Sequence, residues 1–284
     1  MRDHADQLST GRLCRISRVS RSGYYEWLFR PESRRSKRNR VLLISIKASH
    51  RESRETYGAI RIHQDLRDQG QICGKNRIAR LMRTNGLKSV YRKKYRLQTT
   101  QSNHQLAIVE NIVDQDFDTH SPNQKWGADI SYVPTEEGWL YVSVLLDFYS
   151  RKVIGMATGS SLHTDLCCRA LRQACLFRSP PAELIHHSDR GVQYAGKDYR
   201  GILRQYHFRQ SMSRRGNCYD NAMVESFFGT LKIECTHRRR YQTREEARQD
   251  IENYIYTFYN PRRRHSSLDY RSPNEYEFIN RLAA

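Results

Sequence analysis

The sequence predicts a mixed α/β domain that follows an all-helical module. From residue 121 onward, segments rich in β-branched and aromatic residues alternate with segments of helical periodicity, which is the pattern of an α/β core. Charge separates the two parts as well. Residues 1–104 hold 25 Lys and Arg against 8 Asp and Glu, a net charge of +17, whereas the rest of the chain carries only +2.

The length and composition limit the possible functions. A chain of 284 residues is long enough for two domains with proper cores. The net charge of +19 indicates a polyanionic partner, either nucleic acid or an anionic membrane surface. No apolar run approaches the roughly 18–20 residues of a membrane span, and the polar amino terminus lacks the apolar core of a signal peptide. We therefore expect a cytoplasmic protein with no membrane partner.

The cysteines argue against a disulfide framework and against structural zinc. There are seven, an odd number, and no two of them form a C-x-x-C pair. His163 with Cys167 could be proposed as zinc ligands, as could the pair His186 and His187. No second ligand pair occurs at zinc spacing, however, so free thiols in a reducing compartment fit the sequence better.

The amino-terminal module begins with a weak helix-turn-helix pattern. Residues 11–30 predict a short helix, a turn near residues 20–22 and a second helix. The basic stretch that starts at Pro31 is either an exposed linker or the beginning of the next helix. This first pattern carries little weight alone.

A clearer pair of amphipathic helices is predicted over residues 56–70 and 74–87, and each ends at a glycine, which favours the turn after a helix. One face of the second helix is apolar, with Ile78, Leu81 and Met82. The remaining surface carries four basic residues, Lys75, Arg77, Arg80 and Arg83. A helix-turn-helix protein presents such a second helix to the major groove of DNA. The alternative is a surface helix with a solvated basic face, and the local charge favours DNA binding.

Residues 88–120 are predicted to be a linker followed by a short helix. Two tyrosines and five basic residues between Lys88 and Arg96 could lie along a phosphate backbone, with the rings available for stacking, although a solvated tether is the alternative. The short helix, over residues 106–120, leads into the core.

The segment 121–236 is predicted to be the α/β core. Its elements, in order, are strands within residues 126–137, 138–150 and 151–161, a helix over 163–177, a strand over 184–188, a helix over 196–207, a strand over 209–212 and a helix over 219–235. The second strand is apolar on both faces, and we therefore predict that it is the central strand.

Three acidic residues in this core stand at positions that suit metal-assisted phosphoryl transfer. Asp129 lies at the start of a strand, Asp189 at the carboxyl end of another, where open α/β sheets bind ligands, and Glu225 on a helix. Two Mg²⁺ ions about 3.5–4 Å apart can stabilise both the entering and the leaving oxygen of a phosphodiester. Mg²⁺ needs only a few carboxylates besides the oxygens of its substrate. The alternative is that Asp189 is a turn residue and Glu225 a solvated one.

The helix that carries Glu225 is predicted to have two different faces. Met223, Phe227 and Leu231 form an apolar stripe at helical spacing. The opposite side holds an acid, a small residue and a cation, namely Glu225, Gly229 and Lys232. We expect that side to face a groove that holds a nucleic-acid backbone.

Other acids of the core have structural interpretations. Asp147 is predicted to order the turn at residues 150–151 rather than to bind metal. Asp165 follows a helix start and is interpreted as a first-turn acid. Asp220 is a candidate helix cap.

Residues 237–284 are predicted to form a helix and a basic tail. Tyr254, Phe258 and Tyr259 are expected to pack this helix onto the core. Four residues beyond it either meet a phosphate backbone or form a solvated turn: Arg262, Arg263, Arg264 and His265.

Five stretches of the sequence carry a resemblance to a known family. They are, in order, WGADISYV, LLDFYSRKVIGM, HHSDRGVQY, GNCYDNAMVESFFGTLK and YNPRRRHSSLDYRSPNEY. They resemble the integrase core of bacterial insertion-sequence transposases, most closely the second-frame (OrfB-type) product of the insertion-sequence-three family, which is related to retroviral integrases. The resemblance implies an RNase-H-like fold with an Asp-Asp-Glu triad at Asp129, Asp189 and Glu225, which bind two Mg²⁺ ions or Mn²⁺ as a substitute.

The same resemblance implies roles outside the triad. Lys232 matches a basic residue that contacts the DNA of the transposon end, Asn217 belongs to a family motif, and a helix-turn-helix region, here residues 1–87, precedes the core. The expected function is a DNA transposase that cleaves and joins strands at transposon ends and target. The implied partners are duplex DNA and further copies of the chain on that DNA. An upstream-frame product or fusion is also implied, because this chain shows no sustained heptad repeat. A nucleoid-associated cytoplasmic location would follow.

Two other functions remain open from the sequence. One is a DNA-binding regulator with an inactive core, which loss of metal-dependent cleavage would identify. The other is an RNase-H-type metal nuclease, which would prefer RNA–DNA hybrids over duplex DNA.

Overall fold

The fold is a five-stranded mixed sheet covered by helices on both faces, with a helical module at its amino-terminal end. It is taken from a computed structural model, which describes residues 9–90, 108–214 and 218–282. None of the helices within those ranges is both long enough and apolar enough to cross a bilayer.

Five helices form the amino-terminal module: α1 (Thr10–Ile16), α2 (Arg21–Phe29), α3 (Arg34–Glu52), α4 (Ala59–Asp68) and α5 (Lys75–Thr84). Ser20 and Ser33 cap α2 and α3, because their hydroxyls accept backbone N–H groups of the first turn. The basic stretch after Pro31 therefore begins α3 and is not a linker. Gly70 and Gly86 follow α4 and α5 with φ of +76° and +68°, which confirms both predicted helix ends.

Helices α3, α4 and α5 share an apolar core. Its buried residues recur at helical spacing on each helix, and they are Leu42, Ile46, Ile62, Leu66, Ile78, Leu81 and Met82. The predicted apolar face of α5 is thereby confirmed.

The helix predicted over residues 106–120 is wrong for its described part, residues 108–120, which contain no helix. Asp114 and Gln115 have φ of +41° and +64°, which no helix accommodates. The hydroxyl of Ser211 accepts the backbone N–H groups of Ile112 and Val113, so this segment hydrogen-bonds to the sheet.

The sheet has the strand order β3-β2-β1-β4-β5. Its strands are β1 (Lys125–Thr135), β2 (Gly138–Asp147), β3 (Val153–Gly159), β4 (Ile185–Ser188) and β5 (Arg209–Met212). The first three strands are antiparallel neighbours, and β4 and β5 run parallel to β1. The central strand is thus β1, and the prediction that the second strand would be central is wrong. Strand β2 is buried on both faces because helices cover both sides of the sheet.

Two groups of helices cover the sheet. One face packs against α6 (Thr164–Arg178), the single turn α7 (Val192–Ala195) and α8 (Lys197–Gln205), and the other against α9 (Ala222–Glu234) and α10 (Arg244–Asn253). The helix predicted over 219–235 begins as a 3₁₀ turn, Cys218–Asn221, and becomes α-helical only at Ala222. The turn α7 was not predicted.

The carboxy-terminal segment ties the helical module to the core. A π-helical segment, Tyr254–Tyr259, extends α10, and α11 (Pro273–Leu282) follows. Burial of Tyr254, Phe258 and Tyr259 confirms that this region packs onto the core.

Two of the four tail residues have roles that were not predicted. Arg263 is buried and pairs with Glu234 at 2.7 Å, and Arg264 pairs with Asp68 at 2.6 Å and with Asp65 of α4. For these two residues the solvated turn is wrong, because they pair with carboxylates of this chain. Arg262 is exposed.

Candidate active site

Two of the predicted acids lie side by side because of the register of two parallel strands. Ala128 of β1 is the partner of Ser188, the last residue of β4, so Asp129 and Asp189 are the next residues along neighbouring strands. Neighbouring strands are about 4.8 Å apart. The carboxylate of Asp129 accepts the N–H of Ile130, and that of Asp189 accepts the N–H of Gly191, each at 2.8 Å.

A glycine allows helix α9 to approach this point of the sheet. Gly127 lies on the same face of β1 as Asp129, two residues away. A Cβ at Gly127 would lie 2.7 Å from Cγ2 of Val224 and 2.8 Å from Cζ of Phe148, which is closer than packed atoms come. Val224 therefore occupies the space above Gly127, and the next residue, Glu225, lies beside the two aspartates. The amide of Asn221 also donates to the carbonyl of Ala128, at 3.4 Å.

Helix α9 has the two faces that its sequence predicts. Its apolar stripe, Met223, Phe227 and Leu231, is buried, whereas Glu225, Gly229 and Lys232 are partly exposed. The Lys232 ammonium lies 5.3 Å from the ring centroid of Tyr132, an exposed residue of β1 that contacts the exposed Trp139 edge-on. Lys232 thus stands between an open aromatic surface and the acids.

The electrostatics show that the three acids influence one another. Burial, followed by the charges of Asp189 and Glu225, raises the pKa of Asp129 well above its ordinary value, and the Ile130 N–H and Lys232 oppose this only in part. Burial and the charge of Asp189 also raise the pKa of Glu225. Burial lowers the pKa of Lys232, while Asp129 acts in the opposite direction. The site therefore holds more negative charge than its own cation balances.

This donor set fits a divalent cation. No three His, Cys, Asp or Glu side chains within residues 9–90, 108–214 and 218–282 already converge on one ion position. Mg²⁺ does not require such a cage, because one or two carboxylates with waters and substrate phosphates complete its shell. Burial, together with the charges of the neighbouring acids, raises the pKa values of Asp129 and Glu225, and the three carboxylates are hard oxygen ligands that a cation would stabilise.

The loop before α9 is held by an acid that was assigned a different role. Asp220 is buried and accepts the backbone N–H of Arg214 at 2.8 Å, the Arg214 guanidinium at 2.9 Å and the amide of Gln115 at 3.3 Å. The N-cap residue of α9 is Asn221, and its side chain makes no capping hydrogen bond. The prediction of Asp220 as a helix cap is therefore wrong. Asn217 lies outside the described residues.

Two buried histidines support the strand that precedes Asp189. His187 bonds through both ring nitrogens, to Ser211 at 2.9 Å and to Ser213 at 3.1 Å, and thus links β4 to β5. His186 bonds to the hydroxyl of Tyr199 at 2.8 Å. Burial lowers their pKa values to about 4 for His187 and about 3 for His186, so both rings are neutral at physiological pH. These positioning contacts were not predicted, because no local spacing pairs a histidine with serines two dozen residues away.

The other acids of the core behave as predicted. Asp147 is buried and orders its turn by accepting the N–H of Tyr149 at 3.0 Å, and it also pairs with Arg178 at 2.9 Å. Asp165 lies in the first turn of α6, where Arg169 bonds to it at 3.0 Å.

The basic residues predicted for DNA binding divide into two groups on α5. Lys75, Arg80 and Arg83 are exposed. Arg77 is partly buried and donates to the side chain of Asn39 on α3 at 2.8 Å. Three of the four cations are thus open to a ligand, and the fourth connects α5 to α3.

Comparison with known proteins agrees with this organisation. A family described as HTH-like domain matches residues 37–95, and families described as Integrase core domain match residues 119–218 and 206–273. Transposase InsF for insertion sequence IS3A of Escherichia coli (strain K12) is 40% identical over 276 residues, which cover 96% of each chain. The chain belongs to the IS3 family of insertion-sequence transposases.

A second relative of this transposase is the insertion element IS600 uncharacterized 31 kDa protein of Shigella sonnei, 45% identical over 261 residues, 92% of this chain and 96% of the relative. Among solved structures, the HTLV-2 integrase catalytic core domain in complex with magnesium is 16% identical and covers 55% of this chain and 97% of that one, with a TM-score of 0.41.

The predicted family, the mixed α/β core with a helix-turn-helix-like domain, and the predicted activity class are confirmed. This protein is an insertion-sequence transposase with an integrase core, and hence a polynucleotidyl transferase.

Proposed function

We propose that Asp129, Asp189 and Glu225 are the catalytic triad of this transposase and bind two Mg²⁺ ions, for which Mn²⁺ can substitute. The observation that carries the proposal is the parallel register of β1 and β4, which makes Asp129 and Asp189 neighbours, with α9 seated on Gly127 beside them. The raised pKa of Asp129 supports it, because unbalanced carboxylates in a partly buried site attract cations.

Each residue of the site would have a distinct role in the reaction. When bound, the ions neutralise charge on the entering and leaving oxygens of the phosphodiester. Asp129 on β1 and Asp189 directly after β4 hold their oxygens in place through the N–H groups of Ile130 and Gly191, and Glu225 adds a carboxylate from a separate element. Lys232 contacts a phosphate of the transposon end. Water then attacks at the end of the element, and the freed 3′-hydroxyl attacks a second phosphodiester in line.

The helical module would hold the duplex. Helix α5 enters the major groove with Lys75, Arg80 and Arg83 toward the DNA, while Arg77 keeps the helix on α3 through Asn39. We propose residues 1–87 as the DNA-binding region, 88–120 as linker and lead-in, 121–236 as catalytic core, and 237–284 as helix and tail. The active assembly contains several copies on DNA, with an upstream-frame product or fusion as a further partner, at the bacterial nucleoid.

The test is nicking and strand joining on a supercoiled plasmid that carries the element. Wild-type protein with Mg²⁺ or Mn²⁺ is compared with Glu225→Gln and Asp189→Asn, and with the matched control Asp165→Asn, an exposed acid of α6. We expect the two triad variants to lose at least about a thousandfold in activity, since charge stabilisation at the reacting oxygens is the largest catalytic term. The control should retain wild-type activity.

Other results would point to other functions. Equal activity of wild type and Glu225→Gln would remove Glu225 from the triad. Faster cleavage of an RNA–DNA hybrid than of duplex DNA would indicate an RNase-H-type nuclease. Binding without cleavage, even with the upstream-frame product added, would indicate a regulator with an inactive core.

A further inference from the structure

A cavity of about 150 Å³ lies where the helical module, helix α9 and the carboxy-terminal segment meet. Its buried floor includes Phe227 and Tyr259. Three serines with exposed surface stand at its mouth, Ser226, Ser266 and Ser267. The cavity is separate from the triad, because Ser226 is turned about 100° around α9 from Glu225.

Three guanidinium groups face this cavity. They belong to Arg61 of α4, Arg151 of the turn between β2 and β3, and Arg263 of the tail. Burial and the neighbouring Arg263 lower the pKa of Arg61, and burial lowers the pKa of Arg151. An arginine stays charged under such conditions, so the cavity has three buried or half-buried positive charges on its walls.

One carboxylate, that of Glu234, lies beside these charges, and its two oxygens already accept hydrogen bonds. Glu234 accepts hydrogen bonds from Nε and Nη2 of Arg263, at 2.8 and 2.7 Å, and from the hydroxyl of Tyr254 at 2.8 Å. Arg61 reaches it only at 3.8 Å. The Arg151 guanidinium has no carboxylate partner anywhere in the described part of the chain. The cavity therefore keeps a positive charge that a bound anion would neutralise.

Uncharged donors converge on the same space. Ser226 and Thr230 are one turn apart on α9, and their hydroxyls make no hydrogen bond to any other described residue, nor do those of Ser266 and Ser267. Guanidinium forks and hydroxyls arranged around a small space are the donors that a phosphate group requires. A cavity of about 150 Å³ has room for a phosphate group.

We propose that this cavity binds one backbone phosphate of the DNA on which the transposase acts, away from the phosphodiester that is cleaved. The proposal rests on the proposed function in one respect, that the chain holds duplex DNA between α5 and the triad. Arg61 belongs to the helical module and Arg151 to the core, so the bound phosphate would contact both parts and fix the path of the strand between them.

The test uses Arg151→Gln, because Arg151 leaves no carboxylate unpaired when its charge is removed. The control is Arg204→Gln, the same change on the exposed side of α8, on the opposite face of the sheet. Binding of a duplex with the element's own terminus is measured with Ca²⁺, without cleavage, at several salt concentrations. We expect Arg151→Gln to bind about tenfold more weakly, as for a lost charge-assisted hydrogen bond, and to reduce the slope of log K against log salt by about 0.9.

A second measurement locates the contact without depending on one variant. Single methylphosphonates, which lack the phosphate charge, are placed along the duplex. One position should weaken wild-type and Arg204→Gln binding but leave Arg151→Gln binding unchanged. Thr230→Val replaces only a hydroxyl with a methyl group. It should weaken the contact between the cavity and the phosphate at that same position of the duplex.

The outcomes separate this proposal from the proposed function. Equal affinity and salt slope for Arg151→Gln and wild type would overturn the phosphate site and leave the triad untouched. Inorganic phosphate that stabilises wild type, but not Arg151→Gln, without any difference in DNA binding would show a site for free anions, and would also overturn it. Failure of the wild type to bind duplex DNA would overturn both.

Discussion

At the scale of single residues, Asp129 should limit the stability of the metal-free protein. Its pKa is raised in the folded chain, so this group favours folding when protonated, and that contribution disappears as pH rises through the folded pKa. Because this carboxyl is ionised in the unfolded chain at neutral pH, its raised pKa in the folded chain destabilises the fold there. We expect Asp129→Asn to raise the free energy of unfolding in EDTA at pH 7.5 by on the order of 1 kcal/mol, since one pKa unit corresponds to about 1.4 kcal/mol.

Urea unfolding at two pH values checks this prediction. The gain from Asp129→Asn should shrink at pH 5, where the folded wild type holds more of its proton. Asp165→Asn, an exposed acid, should change stability by less than about 0.5 kcal/mol at either pH. Added Mg²⁺ should raise the Tm of the wild type and not that of Asp129→Asn. A less stable Asp129→Asn protein in EDTA would contradict the electrostatic account of the site.

At the scale of elements, the contact between α9 and β1 should depend on Gly127. A methyl group there overlaps Val224 and the ring of Phe148, so α9 must move away from the sheet. We expect Gly127→Ala to lose about 1–3 kcal/mol of stability, as in overpacked cores. Strand-transfer activity should fall about a hundredfold even at temperatures where the variant is folded, because a displacement of 1 Å costs that much in positioning.

Gly201, in α8, provides a control of opposite sign. A Cβ at Gly201 meets no atom within 4 Å, so Gly201→Ala should stabilise the protein by about 0.5–1 kcal/mol and leave activity unchanged. Thermal unfolding and plasmid nicking, measured on both variants, test the predicted changes in stability and activity. A fully active Gly127→Ala protein would show that α9 is not held in place by this contact.

The same elements show which features a sequence can predict. The strands, helices α4 to α6, and the two faces of α9 follow from patterns within about 15 residues, and the acids were found because they stand at the ends or faces of such elements. Asp220 was misassigned because its partner Arg214 lies in a loop without periodicity. Strand β2 was taken as central because its burial is local, whereas the pairing of β4 with β1 is not.

At the scale of the whole molecule, the basic tail was the hardest feature to predict. Arg263 pairs with an acid 29 residues earlier, and Arg264 with one 199 residues earlier in α4. Sequence alone gives such a run of arginines no carboxylate partner, and so phosphate or solvent remained the only candidates. In the structure, this run of arginines connects the module that carries α5 to the core that carries the triad.

This connection should make the transposase unfold and act as one unit. Arg264→Ala removes the ion-pair partner of Asp65 and Asp68, so we expect a loss of about 2 kcal/mol in the free energy of unfolding and two unfolding transitions in place of one. Arg262→Ala, two residues away with the same change of charge but an exposed side chain, should stay within about 0.5 kcal/mol of wild type. DNA binding should fall less than cleavage in Arg264→Ala, because α5 is intact, whereas cleavage should fall at least about tenfold, because the DNA end is no longer held at a fixed position relative to the acids. Calorimetry and cleavage assays on the two variants test this, and equal losses of binding and cleavage would mean that the ion pairs stabilise the module itself rather than its orientation on the core.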